Sequence, residues 1–181
     1  MAREEQARAR AEALDFLERR AGLVLSPGER GAIEVADLGL GRFREIGLCL
    51  LVYVHTERCC AKELVLLPGQ TCPEHWHPPV GADPGKEETF RCRYGEVFLY
   101  VEGEATGRPS CRPPAGREAH FTVWCEVRLR PGDQYTLGPG VRHWFQAGPD
   151  GAVVSEFSTR STDEFDRFTD PDIRRLPAVE G

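Results

Sequence analysis

The stretch Gly69-Gln-Thr-Cys-Pro-Glu-His75-Trp-His77, continued through Lys86-Glu-Glu88 to Gly95 and answered by His143, decides how this chain is read. Strand side chains alternate between faces, so two histidines at i, i+2 share one face of a β-strand and Trp76 takes the other. Three imidazoles and one carboxylate (His75, His77, Glu88, His143) form a ligand set for a divalent transition metal. Mixed nitrogen and oxygen ligation suits Mn²⁺, Fe²⁺, Co²⁺, Ni²⁺ or Zn²⁺ alike. Each residue also has a plainer reading: a surface histidine pair, a solvated loop carboxylate, a buried hydrogen-bonded ring. Four ligands leave two adjacent positions of an octahedral ion open, which suits bidentate binding of two neighbouring oxygens.

Working outward, segments 47–54, 62–67, 96–102, 121–129, 133–137 and 151–157 are short, rich in Val, Leu, Tyr and Phe, and partly alternating. Pro68-Gly69, Pro131-Gly132 and Gly138-Pro139-Gly140 punctuate them as turns. Many short strands of this kind predict an all-β sandwich or barrel. Ahead of them, residues 2–22 carry Leu14, Leu17 and Ala21 at helical spacing. Ser26-Pro27-Gly28-Glu29 is a capping box opening a second short helix. The expected organisation is an N-terminal helical segment over 1–38, a β-barrel over 39–160, and a polar C-terminal tail over 161–181 that packs back on it.

The chain has 181 residues, enough for one domain with a real core. Its net charge of −6 and lack of a basic stripe argue against nucleic acid. No segment approaches a membrane span, and the charged opening residues, with no apolar run after them, are not expected to be a signal peptide. Seven cysteines in irregular spacing, without CxxC, do not read as a disulfide framework; reduced thiols in the cytoplasm are expected.

The motifs together resemble the cupin family, whose barrel is a double-stranded β-helix or jelly roll. Its first motif is Gly, five residues, His-x-His, a gap, Glu, six residues, Gly; here the gap before Glu88 is ten residues, so 78–87 is an insertion. Its second motif appears as Gly132, then Pro139-Gly140-x-x-His143, with the proline one place late and no asparagine after the histidine. Within that family the chain looks like the D-lyxose isomerases, in Lys62-Glu-Leu-Val-Leu-Leu-Pro-Gly-Gln-Thr, Lys86-x-Glu88-Thr-Phe-Arg-Cys-Arg-Tyr-Gly, His143-Trp-Phe-Gln and the tail Ser161-Thr-Asp163 … Asp166-Arg-Phe-Thr-Asp. The resemblance implies Mn²⁺ on the four ligands, interconversion of D-lyxose with D-xylulose and of D-mannose with D-fructose, and Lys62 and Glu156 as catalytic residues. Lys86, Asp166 and Arg167 are the expected substrate contacts.

Elementary chemistry asks for the same residue types. Moving a proton between C1 and C2 through an enediol needs a base, here Glu156. Charge developing on oxygen needs a metal or an ammonium group, here Lys62. A hydride shift is the competing route and would leave Glu156 structural. Rival functions are an iron dioxygenase, a phosphosugar isomerase using Arg91 and Arg93, and a non-catalytic sugar-binding cupin. Exposed strand edges make a homodimer the expected assembly.

Overall fold

The computed structural model describes residues 1–175; the last part of the expected tail, 176–181, lies outside the described residues. Helix α1 (Arg3–Leu14) runs into a wide π-helical turn, Asp15–Arg20, and ends where Gly22 takes a φ of 70°. Ala9, Ala13, Phe16 and Leu17 follow the i, i+4, i+7, i+8 stripe and form the buried face, while Leu14 lies off it and is only partly covered. Helix α2 (Pro27–Gly31) has the expected capping box, with the Glu29 amide donating to Ser26 Oγ and the Ser26 amide to Glu29 Oε2. Strand β1 (Glu34–Ala36) already joins the sheet inside the segment expected to be helical.

The rest is a curled antiparallel sheet. Strands β2 (Leu48–His55), β3 (Cys60–Leu66), β4 (Thr71–Trp76), β5 (Glu88–Val101), β6 (Cys125–Leu129), β7 (Gln134–Leu137), β8 (His143–Ser158) and β9 (Arg167–Phe168) complete it. The order is β1–β2–β3–β8–β4–β9, with β5 laid along β8 and carrying β6 and β7. Segments 96–102 and 151–157 are halves of long strands that bend together. Gly95 has φ 70° at this bend, and a Cβ there would sit 1.9 Å from the Gly151 carbonyl oxygen, so only glycine lets the two strands cross. Residues 121–124 are not strand. The Val123 amide donates to the Glu74 carboxylate at 3.1 Å, as does that of Thr122, instead of to a ladder.

Alternation sorts the side chains. Leu48, Leu50, Leu64, Leu66, Phe90, Cys92, Ala152 and Val154 fill the inside of the curl. Cys49, Leu51, Val65 and Val153 face outward under α1. Phe98, Tyr100, Trp144 and Phe121 form a third cluster beneath the long 103–124 loop. All seven cysteines are unpaired. No helix among the described residues is long and apolar enough to cross a membrane.

Candidate active site

Register builds the site. His75 on β4 lies opposite His143 on β8. Lys62 on β3 lies opposite Glu156, further along the same β8. Phe90 on β5 also faces Glu156, which sets Glu88, two residues earlier, on that inner face. Directly opposed residues share a face, so parity brings Lys62, His75, Glu88, His143 and Glu156 to one side of the curl. Lys62, His75, His77, Lys86, Glu88 and Glu156 all line one cavity there.

One ring nitrogen from each of His75, His77 and His143 lies within 4.8 Å of the others. Their Nδ1 atoms are each tied to an acceptor: the Pro73 carbonyl at 2.9 Å, Asp166 Oδ1 at 2.5 Å and the Val141 carbonyl at 3.0 Å. Carbonyls and carboxylates only accept, so Nδ1 carries the proton and, in a neutral ring, Nε2 presents a lone pair. Glu88 Oε1 lies 3.1 Å from Nε2 of both His77 and His143. His143 Nε2 is fully buried and its contact with Glu88 lacks hydrogen-bond geometry, leaving the atom without a partner. A buried orphan nitrogen at the focus of three imidazoles and a carboxylate fits a divalent transition metal, and the Nδ1 acceptors are the supports such histidines require. Burial, then the neighbouring His143 and His77, holds His75 well below the usual histidine range, so it is neutral and ready to ligate. Burial opposes a charge on His77, but Glu88 and Asp166 more than offset it and raise this ring to about 9. A proton and a cation compete there.

Beside the histidines lies a buried ionic network. Lys86 Nζ is 2.8 Å from Glu88 Oε2, 3.0 Å from Glu156 Oε1 and 3.3 Å from Asp163 Oδ1. Lys62 Nζ is 3.5 Å from Glu156 and 2.5 Å from Asp163. Burial disfavours every one of these charges, yet the opposite partners win: Lys62 is held above, and Lys86 well above, the usual lysine range, while Glu88 and Asp163 sit well below theirs.

Residues 161–175 return across this cavity. Their β9 pairs with β4, placing Phe168 against the His75 ring at 5.5 Å. Alternation then turns Arg167 outward: it is exposed opposite Trp76 and does not line the cavity, unlike its neighbour Asp166. The arginine that does line it is Arg175, 2.6 Å from Glu34 and 3.8 Å from Asp163. Asp163 and Arg175 were not singled out by sequence reasoning; the quoted tail motif around Asp163 was the one signal. Arg91 and Arg93 alternate with inward Phe90 and Cys92, so they point away from the cavity, to Gln134 and Ser155. Trp76 packs under Arg142 outside, and Trp144 sits in the outer cluster; Phe90 and Phe145 wall the cavity.

No family model matches the chain. It is 62% identical over 162 residues to the D-lyxose/D-mannose isomerase of Thermosediminibacter oceani, covering 90% of each. Against the D-lyxose ketol-isomerase of Cohnella laeviribosi the identity is 59% over 162 residues, covering 90% of this chain and 89% of that one. The D-lyxose ketol-isomerase of Thermofilum sp. is 54% identical over 171 residues, 94% of each chain. Among solved structures, the L-ribose isomerase of Cellulomonas parahominis matches with a TM-score of 0.79 at 19% identity, covering 96% of this chain and 94% of that one. The L-ribose isomerase of Acinetobacter sp. DL28 gives 0.77 at 17%, with the same coverage. At those identities the structures show the fold, the expected cupin. The sequence relatives show the family: the chain belongs to the D-lyxose isomerases, aldose–ketose isomerases on a cupin barrel.

Proposed function

We propose that this chain interconverts D-lyxose with D-xylulose, and D-mannose with D-fructose, by proton transfer through an enediol, with Mn²⁺ held by His75, His77, Glu88 and His143. The activities of its relatives, a D-lyxose/D-mannose isomerase and a D-lyxose ketol-isomerase, support the substrates. The observation that carries the mechanism is the Glu156 carboxylate between two buried ammonium groups, 3.0 Å from Lys86 and 3.5 Å from Lys62, on the strand that also bears His143. D-lyxose and D-mannose share configuration at C2 and C3, so one site serves both.

When bound, the metal would supply Lewis-acid polarisation of the sugar's carbonyl and hydroxyl oxygens. Glu156 takes the proton from C2 of the aldose; the electrons of that C–H bond form the C1=C2 double bond, and the carbonyl electrons move onto O1. Lys62 stabilises the oxygen charge and carries the proton that passes from O2 to O1. Glu156 then returns its proton to C1, leaving the C2 ketone. Lys86 holds Glu156 in place and, with Asp166, offers contacts to sugar hydroxyls. Three cations (Lys62, Lys86, Arg175) face four carboxylates (Glu88, Glu156, Asp163, Asp166) in this cavity. A divalent ion with neutral imidazoles would turn that deficit into one surplus positive charge, matched to an anionic enediolate.

A homodimer in the cytoplasm completes the reading. The row Val54–Ala61–Phe157 across β2, β3 and β8 leaves two large apolar side chains exposed, and the unpaired cysteines suit a reducing compartment. The test is to strip metal from the protein, add D-lyxose and Mn²⁺ in D₂O, and follow the products by NMR. D-xylulose with deuterium at C1 is expected. Ketose without deuterium would replace the enediol by a hydride shift. No ketose from either aldose, with Mn²⁺ bound, would remove the substrate assignment.

A further inference from the structure

The cavity around the histidines holds about 50 Å³. That is room for roughly one or two waters and far below what an enclosed sugar requires. A second chamber of about 190 Å³ adjoins it and opens to solvent. Leu50, Lys62, Asp163 and Arg175 line both. The ionic network orders the site in one direction: Glu88, Lys86, Glu156, Lys62, then the outer chamber, with successive contacts of 2.8, 3.0 and 3.5 Å.

We infer that the outer chamber, lined by Val52, His55, Cys60, Ser161 and Glu164, receives the far end of the sugar and sets the preference between five- and six-carbon aldoses. The inference rests on the isomerase reading above. The reacting C1–C2 end belongs beside the histidines and Glu156, and among the described residues the cavity continues past Lys62 into this chamber. Its walls carry polar side chains: His55, Lys62, Ser161, Asp163, Glu164 and Arg175. Cys60, two residues before Lys62 on β3, shares that lysine's inward face, is 2% exposed, and belongs to none of the three apolar clusters. Ser161 Oγ accepts from Lys62 at 3.1 Å and donates to Asp163 at 2.6 Å, and the His55 ring bonds the Ser161 carbonyl at 3.1 Å. A terminal CH₂OH more or less is felt here and nowhere near the reacting carbons.

Cys60→Leu and Val52→Phe each add bulk to this chamber from a different strand. Measured as kcat/KM on D-lyxose and on D-mannose, each variant should lose about ten- to a hundredfold more activity on the hexose than on the pentose, the size of a single-carbon discrimination. Val52 is 39% exposed, so its replacement decides the matter even if the Cys60 variant fails to fold. Folded, Mn²⁺-binding variants that keep the parent's ratio, or lose both activities equally, would overturn the inference. A parent protein inactive on both aldoses would instead remove the isomerase reading beneath it.

Discussion

Lys86→Met is the most searching perturbation of this site. Methionine matches the length of lysine but has no charge. Lys86 is 3% exposed and touches three carboxylates, Glu88, Glu156 and Asp163, at 2.8, 3.0 and 3.3 Å. Removing it leaves those charges buried, with Lys62 still beside Glu156 and Asp163, Arg175 3.8 Å from Asp163, and His77 3.1 Å from Glu88. Breaking a buried ion pair by deleting one partner costs about 3–5 kcal/mol. For a chain of this size each kcal/mol moves Tm by roughly 2–4 °C, so the metal-free variant should melt about 6–20 °C below its parent. Mn²⁺ bound beside Glu88 replaces one lost partner, so the deficit should shrink at saturating metal. Calorimetry of both proteins, with chelator and with Mn²⁺, reads both quantities. A metal-free variant melting within about 2 °C of the parent would refute the reasoning, because the three carboxylates would then be solvated or protonated at little cost.

Two further outcomes follow from the same geometry. Asp166→Asn replaces the charged acceptor that fixes the His77 ring at 2.5 Å, and should weaken Mn²⁺ binding about 10- to 100-fold in a direct titration; unchanged affinity would show that His77 is oriented by its strand alone. Burial works against the Asp163 carboxylate, but Lys86 and Lys62 more than offset it and depress this group well below the usual range. Its stabilisation is therefore complete above the unfolded carboxylate value near ~4 and is lost as pH falls toward the lower folded value. Between pH 5 and 3 (about one unit either side of that value) Asp163→Asn should flatten the acid limb of the Tm profile; parallel profiles would exclude Asp163 from the acid response.

The parts of the site that strands carry were legible in the sequence, because period-2 alternation is a strong constraint. Lys62 travels with Leu64 and Leu66, Glu88 with Phe90, and Glu156 with Val154 and Ala152, all on the filled side of the curl. The tail obeys no such rule. Asp163 sits on a short 3₁₀ turn and Arg175 beyond the last strand, so their places depend on how residues 161–175 cross the barrel. Arg167 and Phe168 show the sharpness of the difference: β9 is two residues long, and which of the two faces inward is a one-residue question of register. The bends were equally hidden. Two apolar segments, 96–102 and 151–157, are what a fourteen- and a sixteen-residue strand look like when glycines interrupt their pattern.

Those long strands explain why His143 and Glu156 hold a fixed spacing. β8 carries His143 at one end and Glu156 near the other, and pairs with β4 at the first and with β3 at the second. β5 runs beside both halves and brings Glu88 to the same face as Glu156. Three hydrogen-bonded neighbours thus fix the two chemical groups on one continuous backbone, and a bend at Gly95 and Gly151 brings the halves over a common cavity. A site built on loops would need its own packing to hold such distances; here the sheet's register does so. The tail that crosses the opening adds Asp163 and Arg175 to the boundary between the inner and outer chambers, beside Leu50 and Lys62 of the sheet. The wall between the chambers is thus built jointly by the sheet and the tail, and Asp163 ties the two together through Lys62 and Lys86.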